Sequence, residues 1–135
     1  MYRVVEVIDY ALTRDVVLKN TETGTIDICF DDSLLASNIN FGFLEEGKQY
    51  DCKIALLGNI MENVQKETIL CTIVGKTMIG MREYFKVLVE EDIYYIRSKN
   101  ISTDASTKQF LFQSFRKDLI EVNGILHYDI TRGAL

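Results

Sequence analysis

Apolar and polar residues alternate one for one through much of this chain, a pattern that suits a strand and defeats a helix. Ile26, Ile28 and Phe30 alternate with Asp27, Cys29 and Asp31, and the segments 2–10, 15–19 and 68–74 carry the same theme in Val, Ile, Tyr and Thr. Successive side chains of a strand point to opposite faces, so a two-residue period gives one face something to bury; a helix needs a period near 3.6. β-branched and aromatic residues reinforce the preference. The expected fold class is therefore all-β, mostly strand with one short helix.

Residues 2–10, 15–19 and 25–31 predict an antiparallel meander, with turns at Leu12-Thr13-Arg14 and from Asn20 to Gly24. Asp32 or Ser33 can cap a short helix carrying Leu34, Leu35 and Ala36. The segment 49–57 predicts a strand closed by Gly58-Asn59, and 68–74 another after a connector at 60–66. Three strands, a short helix and two strands form the element order of a small OB-like antiparallel barrel over residues 1–75. SH3-like barrels and irregular sandwiches share much of that order.

Residues 76–135 are expected to extend the barrel with two further hairpins. One joins 84–89 to 93–98 through Glu90-Glu91-Asp92, and the other turns at Asn123-Gly124. Asn-Gly supplies the two positive φ angles of a type I′ turn. Phe112, Phe115, Leu119 and Val122 also fall at helical spacing, but the Asn-Gly turn favours strands after Phe115. Residues 99–109 are polar and predict a loop. The chain, 135 residues without a Pro- or Gly-rich boundary, is expected to be a single domain.

Net charge is −5, and it is unevenly placed: residues 1–75 hold 6 Lys/Arg against 12 Asp/Glu, residues 76–135 hold 9 against 8. A negative field repels phosphate, so nucleic acid is disfavoured as a partner except near the C-terminal half. The apolar runs are too short to span a bilayer and charge interrupts the N-terminus early, which predicts a cytoplasmic protein without a membrane partner. Cys29, Cys52 and Cys71 lack paired spacing, so neither a disulfide framework nor a zinc knuckle is expected. Cys52 and Cys71 read as small buried hydrophobes, whereas Cys29 sits opposite Ile26, Ile28 and Phe30 and is expected to be less buried.

Few motifs carry chemistry. Gly75-Lys76-Thr77 resembles the end of a phosphate-binding loop, but Leu70 occupies the first glycine position and strand-forming residues fill the gap. His127, the only histidine, has no nucleophile signature and reads as a surface or rim residue. Asp27, Asp31 and Asp32 read as solvated carboxylates, without the glycine and further oxygen ligands of a calcium loop. No metal or cofactor is expected.

One constellation combines aromatics with cations: Tyr95, Arg97 and Lys99 share a strand face, Lys108, Phe110 and Phe112 alternate in the same way, and Arg116 and Lys117 follow. Single-stranded nucleic acid uses such surfaces through base stacking and phosphate pairing; alternatively, Phe110, Phe112 and Phe115 are core. The leading expectation is a non-catalytic binding or interaction module whose ligand is a protein partner or its own copy. The alternatives are a single-stranded nucleic-acid binder using Tyr95, Arg97, Lys99, Phe110 and Phe112, and an enzyme whose site is assembled from scattered Asp, Tyr and Arg.

Overall fold

Ten strands make up more than half of the residues that the computed structural model describes (1–35, 38–101 and 108–131), and no α-helix occurs among them. They are β1 (Tyr2–Asp9), β2 (Arg14–Asn20), β3 (Ile26–Asp31), β4 (Gln49–Tyr50), β5 (Cys52–Met61), β6 (Ile69–Ile79), β7 (Arg82–Val89), β8 (Asp92–Arg97), β9 (Gln109–Val122) and β10 (Ile125–Leu126). Short 3₁₀ turns occupy Ser98–Asn100 and Tyr128–Thr131. Of the predicted short helix, Ser33 to Leu35 form a turn closed by Leu35 N–H donating to Asp32 O, and residues 36–37 lie outside the described residues. Residues 102–107 of the predicted polar loop also lie outside them.

All the strands belong to one sheet, in the order β4-β1-β2-β3-β9-β5-β8-β7-β6, with β10 on β9. The meander of β1, β2 and β3 is antiparallel as expected. Strand β9 is the hub. It pairs antiparallel with β5 along that strand's whole length, with the start of β6, and in parallel with β3 at Phe30 and Asp118. The strand beside β3 therefore comes from residues 109–122, whereas 68–74, expected among the first barrel strands, pairs with β7 and β9. Two pairings, β3 with β9 and β5 with β8, are parallel, which corrects a purely antiparallel arrangement.

Glycine decides one feature of this hub. Residues 58 and 59, expected to close a strand, lie inside β5, where the ladder jumps from Leu57↔Arg116 to Gly58↔Ser114 and leaves Phe115 as the extra residue of a β-bulge. A Cβ on Gly58 would run into the Gln113 carbonyl, so only glycine permits this approach. Ser114 Oγ lies 3.3 Å from the Leu57 carbonyl, within the same irregularity. At the far end, Asn123 (φ 49°) and Gly124 (φ 82°) form the expected turn, and Asn123 Oδ1 accepts from Asp51 N–H at 2.8 Å.

The main hydrophobic cluster draws on Tyr2, Val4, Val16 and Leu18, on Ile54 and Leu56, and on Leu119 and Val122, so it joins the first strands to the last. Each of these side chains contributes about 1.5–3 kcal/mol through burial. A second cluster gathers Ala55, Ile79, Tyr84, Tyr95, Ile120 and Ile130.

The three thiols are free and buried, Cys29 included, which corrects the expectation that it is the more open one. Burial pushes the Cys52 and Cys71 thiols up to about 12, with nearby Asp51 adding to the effect at Cys52. Burial likewise raises the Cys29 thiol. The thiolate is the reactive form, so a thiol reagent at about pH 8 is expected to leave the folded chain unmodified and to titrate all three in denaturant. Rapid native reaction at Cys29 would contradict its position.

Candidate binding surface

The sequence gives β3 two possible faces, and the fold chooses the one that alternation disfavours. Ile26 and Ile28 point to solvent, 57% and 60% exposed, while Asp27, Cys29 and Asp31 point inward. Asp27 and Asp31 are therefore buried anchors, which corrects their reading as solvated carboxylates. Arg14, directly opposite on β2, donates from Nε to Asp31 at 2.7 Å and from its terminal nitrogen to the Phe41 carbonyl. Asp31 also accepts the Ser33 N–H at 2.9 Å, and Ser33 Oγ accepts the Phe41 N–H at 3.0 Å. Asp27 accepts from the Tyr94 hydroxyl at 2.8 Å and from Lys117 Nζ at 2.5 Å. Burial, then the bond to Asp27, raises the Tyr94 phenol well above its ordinary value.

These polar contacts hold the apolar side of β3 outward. Phe115, re-aimed by the β9 bulge, is 71% exposed on the same groove as Ile26 and Ile28, with Ser114, Arg116 and Lys117 lining its edge. Both cations are already matched: Lys117 with Asp27, and Arg116 with Asp118 through two bonds of 2.7 and 2.9 Å. The Arg116 guanidinium also lies over the Phe30 ring, 4.5 Å from its centroid.

Next to this edge, His127 is buried rather than at a surface or rim. Its Nδ1 accepts the Asp129 N–H at 3.1 Å, which leaves Nε2 to carry the proton toward Asp32 at 2.5 Å. The ring stacks on Tyr128 with centroids 4.4 Å apart. With both nitrogens engaged, the imidazole has no free position for a substrate proton. Burial raises the Asp118 carboxyl, against the lowering effect of Arg116. Among the described residues no group of three or more His, Cys, Asp or Glu could hold a metal, and no helix is long and apolar enough to cross a membrane. Gly75-Lys76-Thr77 lies within β6, as extended backbone.

The residues singled out for stacking are dispersed. Phe110 and Phe112 belong to the main core and meet edge to face at 6.1 Å. Tyr95 is buried in the second cluster, so none of these three rings offers a face to a base. Arg97 lines a cleft on the β7–β8 side, and Lys99 is exposed in the 3₁₀ turn after β8. Comparison of the chain with protein-family models, curated proteins and solved structures finds no match.

Proposed function

We propose that this chain is a non-catalytic interaction module of OB-like build that docks a second copy of itself on the apolar groove of β3 and β9. The OB-like part is supported by sheet order. The strands β1, β2, β3, β9 and β5 follow one another, β4 pairs with β1 just ahead of β5, and β3 is parallel to β9, as a five-strand Greek-key barrel requires. The single-domain reading rests on the main cluster, which reaches from Tyr2 to Val122.

The observation that carries the docking reading is the exposure of Ile26, Ile28 and Phe115 along one groove. A contiguous apolar surface is a usual mark of an interaction site. A copy of the chain is the favoured occupant because the cations edging the groove each have their own carboxylate, so two such faces meet without like charges opposed. The nucleic-acid alternative loses support with its three rings buried.

Sedimentation of the purified chain over a range of concentrations tests the proposal. The expected mass is twice the 15.5 kDa of one chain at tens of micromolar. Phe115→Asp is expected to weaken association roughly 30-fold or more, the effect of losing an aromatic anchor worth about 2 kcal/mol. A wild-type monomer throughout, or a dimer indifferent to Phe115→Asp, would remove the reading.

A further inference from the structure

We infer that the cleft between β7, β8 and β9 binds a phosphate group, free or as the end of a small phosphoester, between Arg82 and Arg97. The cleft is distinct from the groove of Ile26, Ile28 and Phe115, with Arg116 bordering both. Tyr84 pairs with Arg97 across β7 and β8, which places Arg82, Tyr84 and Arg97 on one sheet face. The same face continues through Leu57 to Arg116, because β5 pairs with β8 at Ala55↔Tyr95 and with β9 at Leu57↔Arg116. The resulting cleft has a volume of about 230 Å³ and is floored by Ala55, Leu57 and Ile120.

The electrostatics of this cleft are unbalanced. The Nε atoms of Arg82 and Arg97 are both buried and neither has a hydrogen-bond partner. Among the described residues, no carboxylate lies within ion-pair distance of either guanidinium. Asp118, also on the cleft wall, gives both its oxygens to Arg116, and Asp129 stands on the wall as the remaining acid. Three arginines thus face two carboxylates, and Arg82 and Arg97 repel each other. Burial and then the neighbouring Arg82 push the Arg97 guanidinium pKa below its ordinary value, the direction expected when a counter-anion is missing.

An unbonded Nε–H is half of the planar fork by which arginine takes an oxyanion in two parallel bonds. Two such forks offer more donors than the two oxygens of a carboxylate use. The three or four oxygens and nearly double charge of a phosphate match them better. The volume, below that of drug-sized pockets, suits a phosphate with a few attached atoms.

Calorimetric titration of the full chain with inorganic phosphate and with glycerol 3-phosphate, using acetate and added chloride as controls, tests the inference. Saturable binding in the sub-millimolar range is expected for both phosphates and not for acetate. Arg82→Gln and Arg97→Gln are each expected to weaken it at least 10-fold, and Lys19→Gln, on exposed β2 surface, to leave it unchanged. Because each Gln substitution also relieves repulsion, the ligand-free melting temperature is expected to hold or rise, as a purely structural arginine would not allow. Arg97→Lys, which keeps the charge and loses the fork, supplies the reading should a Gln variant fail to fold: weakened binding supports the site. No saturable phosphate binding, equal binding of acetate, or equal weakening by Lys19→Gln would overturn it.

Discussion

Replacing Gly58 with alanine is expected to cost about 3 kcal/mol or more, at the upper end of overpacking penalties, because the new methyl would meet the Gln113 carbonyl and the Phe112 ring. A flexible side chain could move aside, but a backbone carbonyl in the long β5–β9 ladder cannot shift without disturbing the pairs on either side. For a chain of this length that corresponds to a fall of roughly 10 °C in melting temperature. Gly75→Ala is the control. It also sits beside a register irregularity, between β6 and β7, yet a Cβ there meets nothing within 4 Å. Scanning calorimetry is expected to show a large loss for the first and little change for the second; equal effects would mean that strand glycines matter only through backbone entropy.

The second large effect concerns Arg14 and Asp31. Asp31→Ala is expected to cost about 3–5 kcal/mol, since it leaves a buried guanidinium without its counter-charge and frees the Ser33 N–H. The double replacement Arg14→Met with Asp31→Leu is expected to recover most of that loss, because a well-packed apolar pair escapes the desolvation cost that the ions bear. Urea denaturation of the single and double variants measures the difference. Additive losses in the double variant would show that the guanidinium is needed for its bond to the Phe41 carbonyl rather than for Asp31.

The strands and the Asn123-Gly124 turn were legible in the sequence because alternation and turn chemistry are local. The face of β3 was not. Ile26, Ile28 and Phe30 make the more apolar side, but Tyr94 and Lys117, which satisfy Asp27, lie far along the chain on β8 and β9. One local signal did exist: Arg14 shares the phase of Val16 and Leu18 on β2, and the meander register sets it opposite Asp31. An arginine in the apolar phase beside an aspartate in the next strand marks a buried pair.

Phe115 was hidden for a related reason. It is one of three phenylalanines in Phe110-Leu111-Phe112-Gln113-Ser114-Phe115, and only a bulge that depends on Gly58 turns it out while Phe110 and Phe112 stay in the core. Asp92 shows the same dependence: from the tip of the β7–β8 hairpin its carboxylate accepts from Thr23 and Thr25 at 2.6 Å each and ties that tip to the turn between β2 and β3. In each case the deciding partner came from a segment remote in sequence.

Denaturation of two neighbouring variants on β3 tests the inward carboxylates and outward apolar face most directly. Both are made in the Phe115→Asp background, so that association does not enter. Ile28→Lys is expected to change stability by no more than about 0.5 kcal/mol, as at a surface position. Asp27→Ala is expected to cost about 2 kcal/mol or more, because the buried Tyr94 hydroxyl loses its acceptor and Lys117 its partner. The reverse order, with Ile28→Lys severe and Asp27→Ala mild, would place the isoleucines in the core and contradict the inverted strand on which the docking surface depends.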